Sequence, residues 1–128
     1  MKLKIVAIAT LALLLGACRV APTVYNVNEA PIVANVANVS KADVRKAIIR
    51  AGTGLGWEFK DNGPDALIGT LNLRTHSAVV DVPFSTKQYS ILYKDSTNLG
   101  YDGTSIHKNY TGWVTNLQKA IDAQLKTL

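Results

Sequence analysis

Apolar and polar side chains alternate along four consecutive segments of the chain, which is the pattern of half-buried β-strands. The segments read GWEFKD, DALIGTLNLRTH, SAVVDVPFS and KQYSILYKDS. In the second segment Leu67, Leu71 and Leu73 fall on one face, with polar residues between them. Pro83 has no N–H to donate, so its strand is expected at a sheet edge or to end there. The short connections favour antiparallel pairing of all four strands.

Two amphipathic helices flank these strands. The first begins at Ser40, which stands three residues before Asp43 as in a capping box, and ends at Gly52. The second is expected from about Ser105 to Leu128, because apolar residues recur there every three or four positions. Its apolar face consists of Ile106, Tyr110, Trp113, Leu117, Ile121 and Leu125.

The order α-ββββ-α predicts an α+β fold. Both helices need an apolar surface to pack on, and an alternating sheet offers one such face. The prediction is therefore a two-layer sandwich in which an antiparallel four-stranded sheet carries both helices on one face. Residues 40–128 are expected to form this single domain, since a chain of this length supports one core.

The beginning of the chain has the charged and apolar regions of a secretory signal. Two lysines precede an apolar run of about a dozen residues, which is too short to span a bilayer. The run ends in LLLGAC, which resembles a lipobox, and its Cys18 is the only cysteine of the chain. Residues 1–17 are therefore predicted to be a signal peptide, with Cys18 lipidated and becoming the mature N-terminus. Arg19 stands where lipoproteins retained in the inner membrane have Asp, so the resemblance implies the outer membrane, facing the periplasm.

Residues 18–39 are predicted to be a flexible tether, with room for a short edge strand around residues 32–36. They contain Pro22, Pro31 and the near-repeat VANVANV. Removing residues 1–17, with their two lysines, leaves 111 residues and lowers the formal charge from +5 to +3. Because the basic residues are scattered, no nucleic-acid partner is expected. The predicted partner is the membrane, through the lipid on Cys18.

The segment YKDSTNLGYDGTSIHKNYTGW, residues 93–113, contains the residue types of a nucleophilic triad in Asp95, Ser96 and His107. The chain has no G-x-S-x-G turn that would present such a serine. It also has only two histidines, without an H-x-x-x-H pair, and its cysteine is assigned to lipid. We therefore expect no catalytic residue, no metal site and no cofactor, and a protein that is not an enzyme.

The same segment has the composition of a joint between a strand and a helix. Its short polar side chains satisfy the backbone groups of turns, its glycines supply turn flexibility, and His107 is expected to donate from the first helical turn back to the loop. Tyr101 lies outside any predicted face and is the best candidate for a ligand or partner contact, followed by Ser96 and His107. The other aromatic residues of these elements fall on predicted core faces: Trp57, Phe59, Tyr89, Tyr93, Tyr110 and Trp113.

The series GWEF, IGTLNLRTHSAVVDVPFS, YSILYKDSTNLGY and IHKNYTGWVTNL resembles a group of small uncharacterised proteobacterial lipoproteins. The matching residues are Trp57, Tyr89, Tyr93, Ser96, Asn98, Leu99, Tyr101, Ile106, His107, Asn109, Tyr110, Trp113 and Leu117. The resemblance covers most of the chain after the signal, and it implies a subcellular location and a fold but no activity.

These observations predict a lipid-anchored outer-membrane protein that acts as an interaction or envelope-maintenance module. Two alternatives remain. One is a binding protein for a small envelope ligand, such as a lipid or glycan fragment, in a cavity lined by Tyr89, Tyr93 and Trp113. The other, less favoured, is a small hydrolase that uses Ser96 and His107.

Overall fold

The computed structural model describes residues 21–128, so the predicted signal peptide of residues 1–17 and Cys18 lie outside the described residues. Five strands and two helices follow one another along the chain. They are β1 (Val27–Pro31), α1 (Lys41–Thr53), β2 (Trp57–Asp61), β3 (Ala66–Leu73), β4 (His76–Pro83), β5 (Gln88–Thr97) and α2 (Lys108–Leu125).

The strands form one antiparallel sheet in the order β1-β5-β4-β3-β2. The α+β class is confirmed, but the predicted four-stranded sheet is wrong, because β1 adds a fifth strand at the edge next to β5. This strand comes from the segment that was expected to be a tether, and it lies before the expected position at residues 32–36. Its sequence VNEAP has no alternation of apolar and polar residues, and Val27 is its one buried residue. Pairing with β5, and not its own pattern, makes it a strand.

The chain joins the domain well before β1 begins. The backbone N–H of Val24 donates to the carbonyl of Thr104 at 2.9 Å, and the N–H of Ile106 donates to that of Pro22 at 3.0 Å. Further along, the Asn26 side-chain oxygen accepts from the N–H of Tyr93 at 2.8 Å. A bulge follows in β1, where Glu29 has a φ of 51°. The segment from Pro22 onward is thus part of the folded domain.

The predicted start of one helix is confirmed, and that of the other is not. At α1 the Ser40 hydroxyl accepts from the N–H of Asp43 at 3.0 Å, so the predicted N-cap is confirmed. The second helix begins at Lys108 instead of about Ser105. Ile106 is buried, but its N–H is bonded to Pro22 in extended backbone. Its apolar character reflects that packing and not a helical turn.

Both helices pack on one face of the sheet and touch each other. Buried residues of α1 and α2 join alternate strand residues in a single core cluster. The largest fully buried side chains are Trp57, Tyr89, Tyr110, Ile48, Leu67, Ile91, Ile106, Leu117, Ile121 and Leu125. Phe59, Tyr93 and Trp113 are only partly buried against this core. The core-face prediction is confirmed for Trp57, Tyr89 and Tyr110, whereas the other three aromatic residues lie at the margin of the core.

Two helical glycines should respond to alanine in opposite directions. A Cβ at Gly52 would overlap the Phe59 ring, so Gly52→Ala is expected to lower the free energy of unfolding by about 1–3 kcal/mol. A Cβ at Gly112 would meet nothing within 4 Å, so Gly112→Ala should raise it by about 0.5–1 kcal/mol through helix propensity. Urea unfolding of the two variants measures both values. Equal effects of the same sign would contradict the packing of α1 on β2.

Candidate functional site

Two of the residues that the sequence singled out, Tyr101 and Ser96, contact a group of three tyrosines that we call the tyrosine cluster: Tyr93, Tyr101 and Tyr110. The ring centroids of Tyr93 and Tyr101 lie 4.2 Å apart, and those of Tyr93 and Tyr110 lie 5.6 Å apart in an edge-to-face arrangement. Tyr93 projects from β5, Tyr101 from the loop after it and Tyr110 from the first turn of α2. The cluster therefore fastens the strand, the loop and the helix to one another.

Ser96 belongs to this cluster through its side chain. Its hydroxyl is 2.7 Å from the Tyr93 hydroxyl, and its own N–H donates to the Asp95 carboxylate at 2.8 Å. His107 is exposed and is the N-cap of α2, where its Nδ1 accepts from the N–H of Asn109 at 3.1 Å. The predicted donation from the His107 ring to the loop is not among the hydrogen bonds of the described residues, where the ring contributes Nδ1 as an acceptor. The Ser96 side chain bonds to Tyr93, and His107 bonds to neither Ser96 nor Asp95, so the three side chains do not form a catalytic relay.

The loop of residues 98–107 is fixed by hydrogen bonds at both ends. Asn98, which has a φ of 58°, donates through its side chain to the Thr75 carbonyl and accepts at its own carbonyl from His76 Nδ1, each at 2.8 Å. Asp102 accepts from the N–H groups of Ser105 at 2.7 Å and Thr104 at 2.9 Å. Those bonds hold the pKa of the Asp102 carboxyl below its ordinary value. The segment thus has the geometry of a structured joint.

Tyr110 carries the unusual polar atom of the cluster. Its side chain is fully buried, and its hydroxyl has no hydrogen-bond partner among the described residues. Burial raises the pKa of the Tyr110 phenol, and the neighbouring Tyr93 and Tyr101 add to the rise. The phenol is therefore neutral and supplies no reactive base.

A second polar group lies on the other half of α2 and was not predicted. Tyr89 donates to the Asp122 carboxylate at 2.6 Å, and Tyr25 donates to the Gln118 side-chain oxygen at 3.1 Å. Burial, together with the bond to Asp122, raises the pKa of the Tyr89 phenol. Asp122 and Gln118 also line a groove of about 250 Å³ beside Pro31 and Lys126. The periodicity of apolar residues along the sequence cannot reveal such a group, because Tyr89 and Asp122 are 33 positions apart.

The ligand cavity expected around Tyr89, Tyr93 and Trp113 is not what these residues form. Tyr89 is fully buried and bonded to α2, while Tyr93 belongs to the tyrosine cluster. Trp113 lines a separate space of about 80 Å³ with Leu55 and Leu73. The buried side chains of the sheet and of both helices form one core cluster.

Within residues 21–128, no three His, Cys, Asp or Glu side chains are placed to share a metal ion. None of the helices in the same range combines the length and apolar character needed to cross a bilayer. Comparison of the chain with protein-family models, with curated proteins and with solved structures gave no match. The resemblance to small proteobacterial lipoproteins therefore stays a prediction.

Proposed function

We propose that this protein is an outer-membrane lipoprotein, anchored through Cys18 and facing the periplasm, whose domain acts as an interaction or envelope-maintenance module. The observation that carries the proposal is LLLGAC after a short basic and apolar leader, with Cys18 as the only cysteine. In this chemistry the Cys18 thiol loses its proton and its sulfur attacks the glycerol carbon that carries the phosphate headgroup of a phospholipid. A carbon–sulfur bond forms, the carbon–oxygen bond to the phosphate breaks, and the headgroup leaves as a phosphate ester. Hydrolysis before Cys18 then frees the new N-terminus for a further acyl chain.

The energetics of lipid insertion favour such an anchor. Each acyl CH₂ buried in the bilayer contributes about 0.8 kcal/mol, so one chain binds reversibly and several bind almost permanently. The fold is compatible with this attachment, since the domain begins at Pro22, just after the cysteine. An anchored domain without a catalytic relay at Ser96 and His107 is suited to holding a partner. Tyr101 and His107 are exposed contact candidates, whereas Ser96 faces the tyrosine cluster.

A second candidate function, binding of a small envelope ligand, is favoured by the groove beside Asp122. Its volume of about 250 Å³ is just below the range of roughly 300–1,000 Å³ that small-molecule sites occupy. Its Asp122 and Gln118 already accept hydrogen bonds from Tyr89 and Tyr25. Because the groove is small and its acceptors are already bonded, we rank ligand binding second. A small hydrolase ranks third.

Removing the cysteine tests the anchor. Cys18→Ala should abolish incorporation of labelled palmitate and leave unprocessed precursor or protein outside the outer membrane, because no other thiol is available. Palmitate labelling of growing cells, followed by membrane fractionation, measures both effects.

Arg19→Asp is the matched control. It keeps Cys18, so palmitate should still be incorporated, while the protein should shift to the inner-membrane fraction. A Cys18→Ala protein that still fractionates with the outer membrane like the wild type would contradict the proposal.

A further inference from the structure

The position at which the chain enters the domain limits how far the domain can stand from its anchor. Pro22 and Val24 are hydrogen-bonded to Ile106 and Thr104, so the folded part begins four residues after Cys18. Four extended residues span at most about 14 Å. Given the proposed lipidation of Cys18, on which this inference rests, the place where Pro22 meets residues 104–106 lies close to the bilayer surface.

The domain is longer than the segment between Cys18 and Pro22, which we call the leash. The 18 residues of α2 alone extend about 27 Å. The turn between β4 and β5, with Lys87, lies at the opposite end of β5 from the loop of residues 98–107. The leash is thus too short for the domain to rotate until that far turn reaches the membrane. The end nearest the anchor is held there instead.

We call this near end the proximal end; it comprises Leu55, the turn of residues 73–75, the loop of residues 98–107 and Lys108. The turn and the loop are joined by the bonds of Asn98 to Thr75 and His76. Leu55 and Leu73 belong to it together, because they line one small space beside Trp113. One continuous end of the domain is therefore formed by segments that are distant in sequence.

The proximal end exposes apolar and aromatic side chains. Leu55, Leu73 and Tyr101 are 43%, 42% and 39% exposed, and they are three of the five large hydrophobic residues exposed within residues 21–128. Tyrosine is enriched at the boundary between water and lipid because its ring is apolar and its hydroxyl is polar. The character of this end thus fits the place to which the leash confines it.

The exposed charges near these residues are of both signs. Arg74 and Lys108 are exposed, and none of the ion pairs found within residues 21–128 involves them. Asp102 and Asp95 are also exposed there, but both carboxylates accept backbone N–H bonds of the loop or strand. The two cations are therefore available to lipid phosphates, which attract Lys and Arg near an anionic surface.

We infer that the proximal end lies on the phospholipid surface, with Tyr101, Leu73 and Leu55 in the headgroup layer and Arg74 and Lys108 facing lipid phosphates. The lipid on Cys18 and this surface together fix the orientation of the domain. The β4–β5 turn, and with it Lys87, then points away from the membrane into the periplasm.

Site-specific fluorescent labels test this orientation in the lipidated full-length protein. Because lipidation blocks the sulfur of Cys18 as a thioether, an introduced cysteine is the only free thiol. Three variants, Tyr101→Cys, Leu73→Cys and Lys87→Cys, carry an environment-sensitive dye and are reconstituted in phospholipid vesicles with or without brominated lipids. The emission maxima of the labels at 101 and 73 should shift to shorter wavelength, and brominated lipid should quench both labels. The label at 87 should show neither effect.

The outcomes separate this inference from the proposed function. If palmitate is incorporated and all three labels behave alike in water-exposed surroundings, the orientation is wrong and the lipoprotein assignment stands. Shielding at 101 and 73 in native envelopes but not in vesicles would also overturn it, in favour of a protein partner. If palmitate is not incorporated, both proposals fall.

A second variant tests the cations. Arg74→Glu combined with Lys108→Glu should reduce the quenching at residue 101 on anionic vesicles, and unchanged quenching would show that these two cations do not contact the lipid.

Discussion

Val27→Asp is expected to destabilise the domain by roughly 3 kcal/mol or more, because it places a charge without a partner at a buried position. Val27 is 4% exposed, and it pairs with the fully buried Ile91 across β1 and β5. The substitution therefore removes apolar contacts from the core and disfavours the edge strand. Chemical unfolding of the purified protein gives the free-energy change.

Val33→Asp is the matched control, since Val33 follows β1 closely and is 61% exposed. It should change the free energy of unfolding by less than about 0.5 kcal/mol. Similar small effects for both variants would mean that residues 27–31 do not form a strand of the domain. That result would restore the flexible tether and lengthen the leash to Cys18.

Trp57→Ala should cost about 3–5 kcal/mol, which is a large share of the roughly 5–15 kcal/mol that stabilise a domain of this kind. Trp57 is almost completely buried at the start of β2, where it pairs with Leu71. Its Cβ also approaches α1 at Gly52, so truncation leaves a void between the helix and the sheet. The melting temperature should fall steeply.

Trp113→Ala provides the comparison within the same protein. From the sequence, Trp113 is expected in the core, but its ring is only partly buried beside a small open space. We therefore expect a smaller loss of about 1–2 kcal/mol. If Trp113→Ala costs as much as Trp57→Ala, the position of the first turns of α2 over β2 and β3 is incorrect.

The sequence predicted best the elements whose own pattern determines their structure. Helix α1 has a capping serine and a single apolar face, and β3 alternates from Ala66 to Leu71, so each could be recognised alone. Strand β1 could not, because its register is interrupted at Glu29 and its pairing depends on the edge of β5. The start of α2 was placed too early for a similar reason, since Ile106 is buried by the N-terminal segment.

The candidate site shows the same limit. The link between Tyr93 and Ser96 is local, and the sequence drew attention to its segment without showing which groups bond. The pairing of Tyr89 with Asp122 depends on how α2 crosses the sheet, which no local pattern encodes. Exposure of Tyr101 was expected from its position in the loop, whereas its stacking on Tyr93 was not.

The mass of the mature protein extracted from membranes tests the proposed anchor most directly. The predicted chain begins at Cys18, and its mass exceeds that of the 111-residue polypeptide by a diacylglyceryl group and an amide-linked acyl chain. Mass spectrometry of the N-terminal peptide should place the added mass on Cys18. A peptide with an unmodified Cys18 thiol, or a mature chain that begins after this residue, would contradict the account.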